Sequence, residues 1–171
     1  MLSIQVLLYE LKTKNMILMF EKILVPIDGS KPSLDALLRA LELAKIHGSE
    51  VEILHVTTFS EDLPAETSQT KAGSNSPTKW IDDYMTKVRK NDENMLNNAL
   101  MHSRTIVPAV KITTKLLTGL PGNEIIMEAG RGGFDLIVIG SRGLSGLKEL
   151  VLGSVSHQVV NESKIPVLVV K

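Results

Sequence analysis

Residues Phe134 to Ile139 form a near-continuous apolar run that stops at Gly140. A strand that is apolar on successive positions has to be covered on both faces, which happens in parallel sheets sandwiched between helices. Beyond it, Gly140-Ser141-Arg142-Gly143 leads through a glycine-containing loop to Gly153-Ser154-Val155-Ser156, where a helix opens. Open α/β sheets present backbone amides to phosphate at such a strand-to-helix loop.

The rest of the chain repeats that alternation. Lys22 to Ile27 reads as a buried strand bounded by Asp28-Gly29-Ser30. Ser30 suits an N-cap and Pro32 a first helical turn; Leu34, Leu37, Leu38, Leu41 and Ala44 then share one helix face until Gly48 stops it. Val51 to Val56 is a second strand, which completes a βαβ unit. Thr57 to Thr78 is rich in Glu, Asp, Pro, Ser and Thr and reads as a long loop. Trp80, Tyr84, Val88, Met95, Leu96, Ala99 and Leu100 give helical spacing, interrupted on the apolar face at Asn91 to Asn94. Val110 to Leu117 alternates as a half-exposed strand and is punctuated by Thr118 to Gly122; Asn123 to Gly130 is a short helix, Ser154 to Ser163 another, and Pro166 to Val170 a last strand. The expected fold is α/β: a single domain over residues 20–171 built on a five-stranded doubly wound parallel sheet, order 3-2-1-4-5, with helices on both faces.

Residues 1–19 stand outside this pattern as an N-terminal extension of unknown role. Met1 to Asn15 reads either as a short strand or as a loosely amphipathic helix, and Met16 and Met19 offer alternative starts. Gln5, Glu10, Lys12, Lys14 and Asn15 interrupt its apolar residues, and no basic start precedes a cleavable small-residue site, which argues against a signal peptide. No apolar run is long enough to cross a bilayer, so a cytoplasmic location is expected. With 19 acidic and 19 basic residues, no global field favours nucleic acid or an anionic membrane as a partner. The absence of cysteine excludes disulfides, thiol catalysis and thiolate metal sites.

With strand order 3-2-1-4-5, the order reverses between the first and fourth strands, which sets Asp28 beside Gly140. One edge of the crevice carries Pro26, Ile27 and Asp28; the other carries the glycine loop and the helix opening at Ser154. A carboxylate facing amides suits a nucleotide, with phosphates on the amides and Asp28 accepting from a ribose hydroxyl or base amine. Taken singly, Gly140 and Gly143 also read as turn glycines, Ser154 as an N-cap and Asp28 as a turn former. Neither a Walker P-loop nor the dinucleotide fingerprint occurs.

Gly140-x2-Gly143-x9-Gly153-Ser154 occurs together with Val25-Pro26-Ile27-Asp28-Gly29-Ser30, Leu54-His55-Val56 and Pro166-Val167-Leu168-Val169-Val170. On these residues the chain from Phe20 to Lys171 resembles the universal stress protein family, in its ATP-binding branch. The resemblance implies that Pro26, Ile27 and Asp28 hold the nucleoside, that Val56 lines the adenine and that Gly119 borders the ribose and phosphate region. It implies that Gly140, Arg142, Gly143, Gly153, Ser154, Val155 and Ser156 hold the phosphates, with Ile139 lining the pocket. The cofactor it implies is ATP, or AMP or ADP, with Mg²⁺ arriving alongside. It also implies a homodimer paired through Pro166–Val170, a strand whose apolar edge needs cover.

His55 reads as a packed histidine, and His47 and His102 as surface positions. His157 sits within the first turn after Ser154, with no partner carboxylate evident. No close acidic pair and no metal cluster stands out, so no catalytic residue is assigned. The first reading is a homodimeric, nucleotide-dependent regulatory switch in a stress response, hydrolysing ATP slowly at most, with the Thr57–Thr78 loop ordering on binding. An ATP-dependent hydrolase or transferase is the alternative, with Arg142 or Lys148 aimed at the α-phosphate. A nucleotide-free interaction module is the third, against which the intact glycine spacing argues.

Overall fold

The computed structural model describes residues 20–58, 77–144 and 152–171. Its elements in chain order are β1 (Lys22–Pro26), α1 (Lys31–His47), β2 (Glu50–Thr57), α2 (Pro77–Ile106), β3 (Ile112–Thr118), α3 (Pro121–Arg131), β4 (Leu136–Gly140), α4 (Ser154–Glu162) and β5 (Val167–Val170). The strands form a five-stranded sheet in the order β3-β2-β1-β4-β5, parallel at every pairing. The expected N-terminal extension, the body of the expected 57–78 loop, and Lys148 lie outside the described residues.

Side-chain alternation along β1 divides the core. Ile23, Val25 and Ile27 pack with Ala36, Leu37, Ala40, Leu41 and Ala44 of α1 and with Leu96 and Ala99 of α2. Leu24 points to the opposite face and packs with Leu54, Ile137, Ile139, Ile125 and Ala129 of α3, and Val159 of α4. Helices therefore cover both faces, and each fully buried Leu or Ile contributes about 1.5–3 kcal/mol.

Local chemistry sets the helix ends. Ser33 N–H donates to Ser30 Oγ at 3.3 Å, which caps α1, and Pro32 occupies its first turn, where a missing N–H costs nothing. Gly48 adopts φ 73°, a left-handed conformation that glycine reaches without strain, and returns its N–H to Ala44 O at 2.8 Å.

Several boundaries differ from the sequence expectation. The third strand begins at Ile112 rather than Val110, because Val110 N–H closes a turn onto Val107 O. The helix expected from Asn123 begins at Pro121, which fits the first helical position, and Glu124 N–H reaches back to Leu120 O. Thr57 belongs to β2, and Pro77 and Thr78 belong to α2. His47 is half-buried rather than a surface residue, its ring edge-on to Phe20 at 5.8 Å.

A polar cluster interrupts the α3-covered face. Lys115 Nζ pairs with Glu128 Oε2 at 2.7 Å, while Glu52 Oε1 is buried without a hydrogen bond. Burial raises the Glu52 carboxyl above its ordinary value of 4.5, Glu128 raises it further, and Lys115 and Lys22 oppose the rise. The fold thus favours the protonated form. Its contribution to stability is fully present below 4.5 and is lost as pH rises through the higher folded value. Glu52→Gln is expected to flatten this dependence. At pH 8 it should raise stability by at most about 1 kcal/mol, since solvent and the lysines screen the charge, which is ~2–4 °C in Tm for a domain of this size. Thermal melts at pH 4 and pH 8 check this; a variant less stable than the wild type at pH 8 contradicts it.

Candidate functional site

β1 and β4 are neighbours in the sheet, but their following helices depart to opposite faces, α1 to one and α4 to the other. A crevice opens beyond the carboxyl ends of such a strand pair. What closes its floor is the contact between Gly140 and α1. A Cβ built on Gly140 would lie 2.7 Å from Pro32 C and 2.8 Å from both Pro32 O and Ser33 N. These are backbone atoms of a capped helix turn and have nowhere to move, so only glycine lets β4 end here.

Around that contact the two loops are laced together. Ser30 N–H donates to Asp28 Oδ1 at 2.9 Å and Leu144 N–H to Asp28 Oδ2 at 3.2 Å. Ser30 Oγ donates to Arg142 O at 3.4 Å, and Asp28 N–H donates to Ser33 Oγ at 3.3 Å. An ionised carboxylate offers about four acceptor positions, so Asp28 keeps capacity for a further donor from a ligand.

The other wall is backbone. Gly153 is the N-cap of α4 with no side-chain cap, and its N–H donates to Ser141 O at 2.9 Å. Ser156 Oγ is held on Ser141 O at 2.9 Å and Gly153 O at 3.0 Å, so this hydroxyl braces the turn. The amides of Ser154, Val155 and Ser156 belong to the first helical turn and have no intrahelical acceptor, which leaves a cluster of donors at the positive end of the helix. Val170 O accepts from Ser141 N–H at 2.6 Å, tying the same loop to the end of β5.

The cleft between these walls has a volume of about 320 Å³, at the small end of the ~300–1,000 Å³ common for small-molecule sites. Of the residues anticipated from sequence, Pro26, Ile27, Asp28, Val56, Ile139, Gly140, Arg142, Gly143, Gly153, Ser154, Val155 and Ser156 line it. Gly119 does not; it follows β3, where its N–H donates to Thr57 O at 3.1 Å and the Glu124 side chain packs against it. Ser33, Leu54, His55, Pro121, Ile125 and Leu144 also line the cleft, beyond those the sequence motifs single out. The signal for Pro121 was present, two residues past Gly119 at a helix start. Leu54 and His55 share the strand end already flagged by Val56.

His55 is packed, as its place on a strand suggested, but it is engaged at both ring nitrogens. Nδ1 lies 2.7 Å from Ile27 O, and Nε2 lies 3.4 Å from Asp92 Oδ1. His157 is exposed and meets Asn161, and His102 is exposed. Among the described residues no group of three or more His, Cys, Asp or Glu is placed to hold a metal ion.

If the α1 turn and β4 depend on the missing Cβ, Gly140→Ala should destabilise the protein by ~1–3 kcal/mol, the usual cost of overpacking. Urea unfolding checks this, and a midpoint equal to the wild type's contradicts it.

The universal stress protein family model matches residues 19–171. Universal stress protein YxiE of Bacillus subtilis (strain 168) is 41% identical over 153 residues, covering 90% of this chain and 100% of the relative. Universal stress protein MJ0577 of Methanocaldococcus jannaschii is 30% identical over 158 residues, 91% of this chain and 98% of the relative. The solved structure of MJ0577 superposes with a TM-score of 0.72 at 28% identity, covering 90% of this chain and 97% of that one. A crystal structure of a universal stress protein in complex with cAMP shares the fold, with a TM-score of 0.65 at 24% identity and coverage of 90% and 98%. With the family model spanning the described residues and a relative 41% identical over its whole length, the chain belongs to the universal stress protein family.

Proposed function

We propose that the cleft binds an adenine nucleotide, ATP in the first instance, and that the protein is a homodimeric regulator acting in the cytoplasm during a stress response. The observation that carries this reading is the division of the cleft into three chemically distinct parts. Val56 and Ile139, both largely buried, give an apolar wall with Leu54 and Ile125 for a flat base. Asp28 offers acceptor capacity for ribose hydroxyls. The α4 amides, with Gly140 and Gly143, offer donors for phosphate, and the Arg142 guanidinium adds a charge-assisted contact. Mg²⁺ accompanying the nucleotide would be held by phosphate oxygens and water, as this ion usually is.

The regulatory part rests on a chain of contacts. A ligand seated on the β4–α4 loop presses on Ser141, whose carbonyl receives Gly153 N–H and Ser156 Oγ and whose amide holds Val170 O. β5 is the sheet edge, and Leu168 on it is 39% exposed. Pairing of two β5 strands across a twofold axis covers that edge. Nucleotide and dimer surface are then one hydrogen bond apart. Among the described residues no helix is long and apolar enough to cross a membrane.

Isothermal titration with ATP, AMP and cyclic AMP tests the reading, with a product assay alongside; cyclic AMP is included because a protein of this fold has been solved with it. Asp28→Ala is expected to weaken ATP binding by about 10–100-fold, the loss of hydrogen bonds to a charged acceptor. Gly143→Val should abolish binding, since even a Cβ there would lie 2.5 Å from Asp28 Oδ2. Absence of ATP binding by the wild type overturns the nucleotide reading, and fast turnover overturns the regulatory one.

A further inference from the structure

We infer that His55, Asp92 and Thr57 form a strut that ties helix α2 to the Ile27–Asp28 peptide and makes His55 a positioning residue for Asp28. The inference rests on the nucleotide reading above for its effect on binding, though not for its geometry.

The strut starts at β1. Ile27 O is a carbonyl and can only accept, so the nitrogen 2.7 Å away, Nδ1 of His55, must carry a proton. The ring then turns Nε2 toward Asp92 Oδ1 at 3.4 Å, a contact that holds only with a proton on this nitrogen too, since a carboxylate can only accept, and the second carboxylate oxygen accepts from Thr57 Oγ1 at 2.5 Å. A carboxylate behind an imidazole fixes which ring face and which nitrogen are presented, as in metal and catalytic histidines. The His55 and Asp92 side chains are only 13% and 18% exposed, so the contacts are made largely out of water and hold their geometry better than a surface pair would.

The strut ends at the peptide that orients Asp28. Ile27 N–H is held by Leu54 O at 2.8 Å, and with Ile27 O on His55 both polar atoms of Ile27 are fixed. The next residue is Asp28, whose carboxylate is shared between Ser30 and Leu144 amides. Rotation of the Ile27–Asp28 peptide would swing that carboxylate away from Leu144 and the glycine loop. Among the described residues the ring makes polar contacts to Ile27 O beside β1 and Asp92 of α2, and α3 contributes the apolar Ile125 and Pro121 to the same cleft. None of the three polar members is replaceable by an apolar residue without stranding another.

Ring ¹⁵N spectra of His55, assigned by its loss in His55→Asn, test the geometry without any nucleotide: protons on both ring nitrogens are expected, and a ring that lacks a proton at either Nδ1 or Nε2 overturns the strut. Titration of ATP tests the consequence. His55→Phe is expected to weaken ATP about tenfold in the wild type and by less than about twofold in the Asp28→Ala background, because contacting groups couple non-additively. His55→Asn, which keeps a donor toward Ile27 O, should remain within about threefold of the wild type on the same scale. Asp92→Ala serves as a second variant acting from the α2 end, with the same non-additivity expected. Equal weakening with and without Asp28 overturns the positioning role. If wild-type protein binds no ATP, the nucleotide reading fails by itself, and the strut then stands or falls on the ring spectra and on displacement of the Asp28 and Leu144 amide resonances in His55→Phe.

Discussion

The close approach of Gly140 to the Pro32–Ser33 backbone is the constraint from which the rest of the site follows. β4 can end against the first turn of α1 only where no side chain intervenes. That approach brings Asp28 within reach of Leu144 N–H and Ser30 within reach of Arg142 O. Without it the two loops at the reversal of strand order would part, and the acceptor wall and the donor wall of the cleft would no longer face each other.

The polar part of the cleft combines the amides at the start of α4 with the side chains of Asp28, Arg142 and His55. Amides at a helix start stabilise negative charge already present on a ligand and need no reorganisation to do so. They move no protons. Of the histidines, His55 is committed to Ile27 and Asp92, and His157 lies exposed beside Asn161. Ser141 joins this loop to β5, its N–H on Val170 O and its carbonyl on Gly153 N–H.

Much of this was legible from the residues. The apolar run ending at Gly140 marked a central parallel strand, Ser30 and Gly48 marked the ends of α1, and the spacing of Gly140, Gly143 and Gly153 marked the donor loop, because each signal is local and has a steric or hydrogen-bonding cause. What escaped were contacts made between elements far apart in sequence. Asp92 lies within the polar stretch Asn91 to Asn94 that looked like a flaw in a helix face, yet it faces inward to Thr57, 35 residues away. Periodicity reports which face is apolar and is blind to a polar residue that finds a buried partner. The half-burial of His47 by Phe20 escaped for the same reason, as did the exclusion of Gly119 from the cleft, since a strand-end glycine looks alike whichever way the chain turns next.

The most direct test of the central claim, that an adenine nucleotide spans the cleft from the β2 wall to the α4 amides, is an ATP titration followed by amide ¹H–¹⁵N spectra of the intact protein. The account predicts saturable shifts concentrated at Asp28, Val56, Gly140, Gly143, Ser154 and Val155, with a smaller response at Val170 through Ser141. Shifts confined to other surfaces, or none at millimolar ATP, would contradict it.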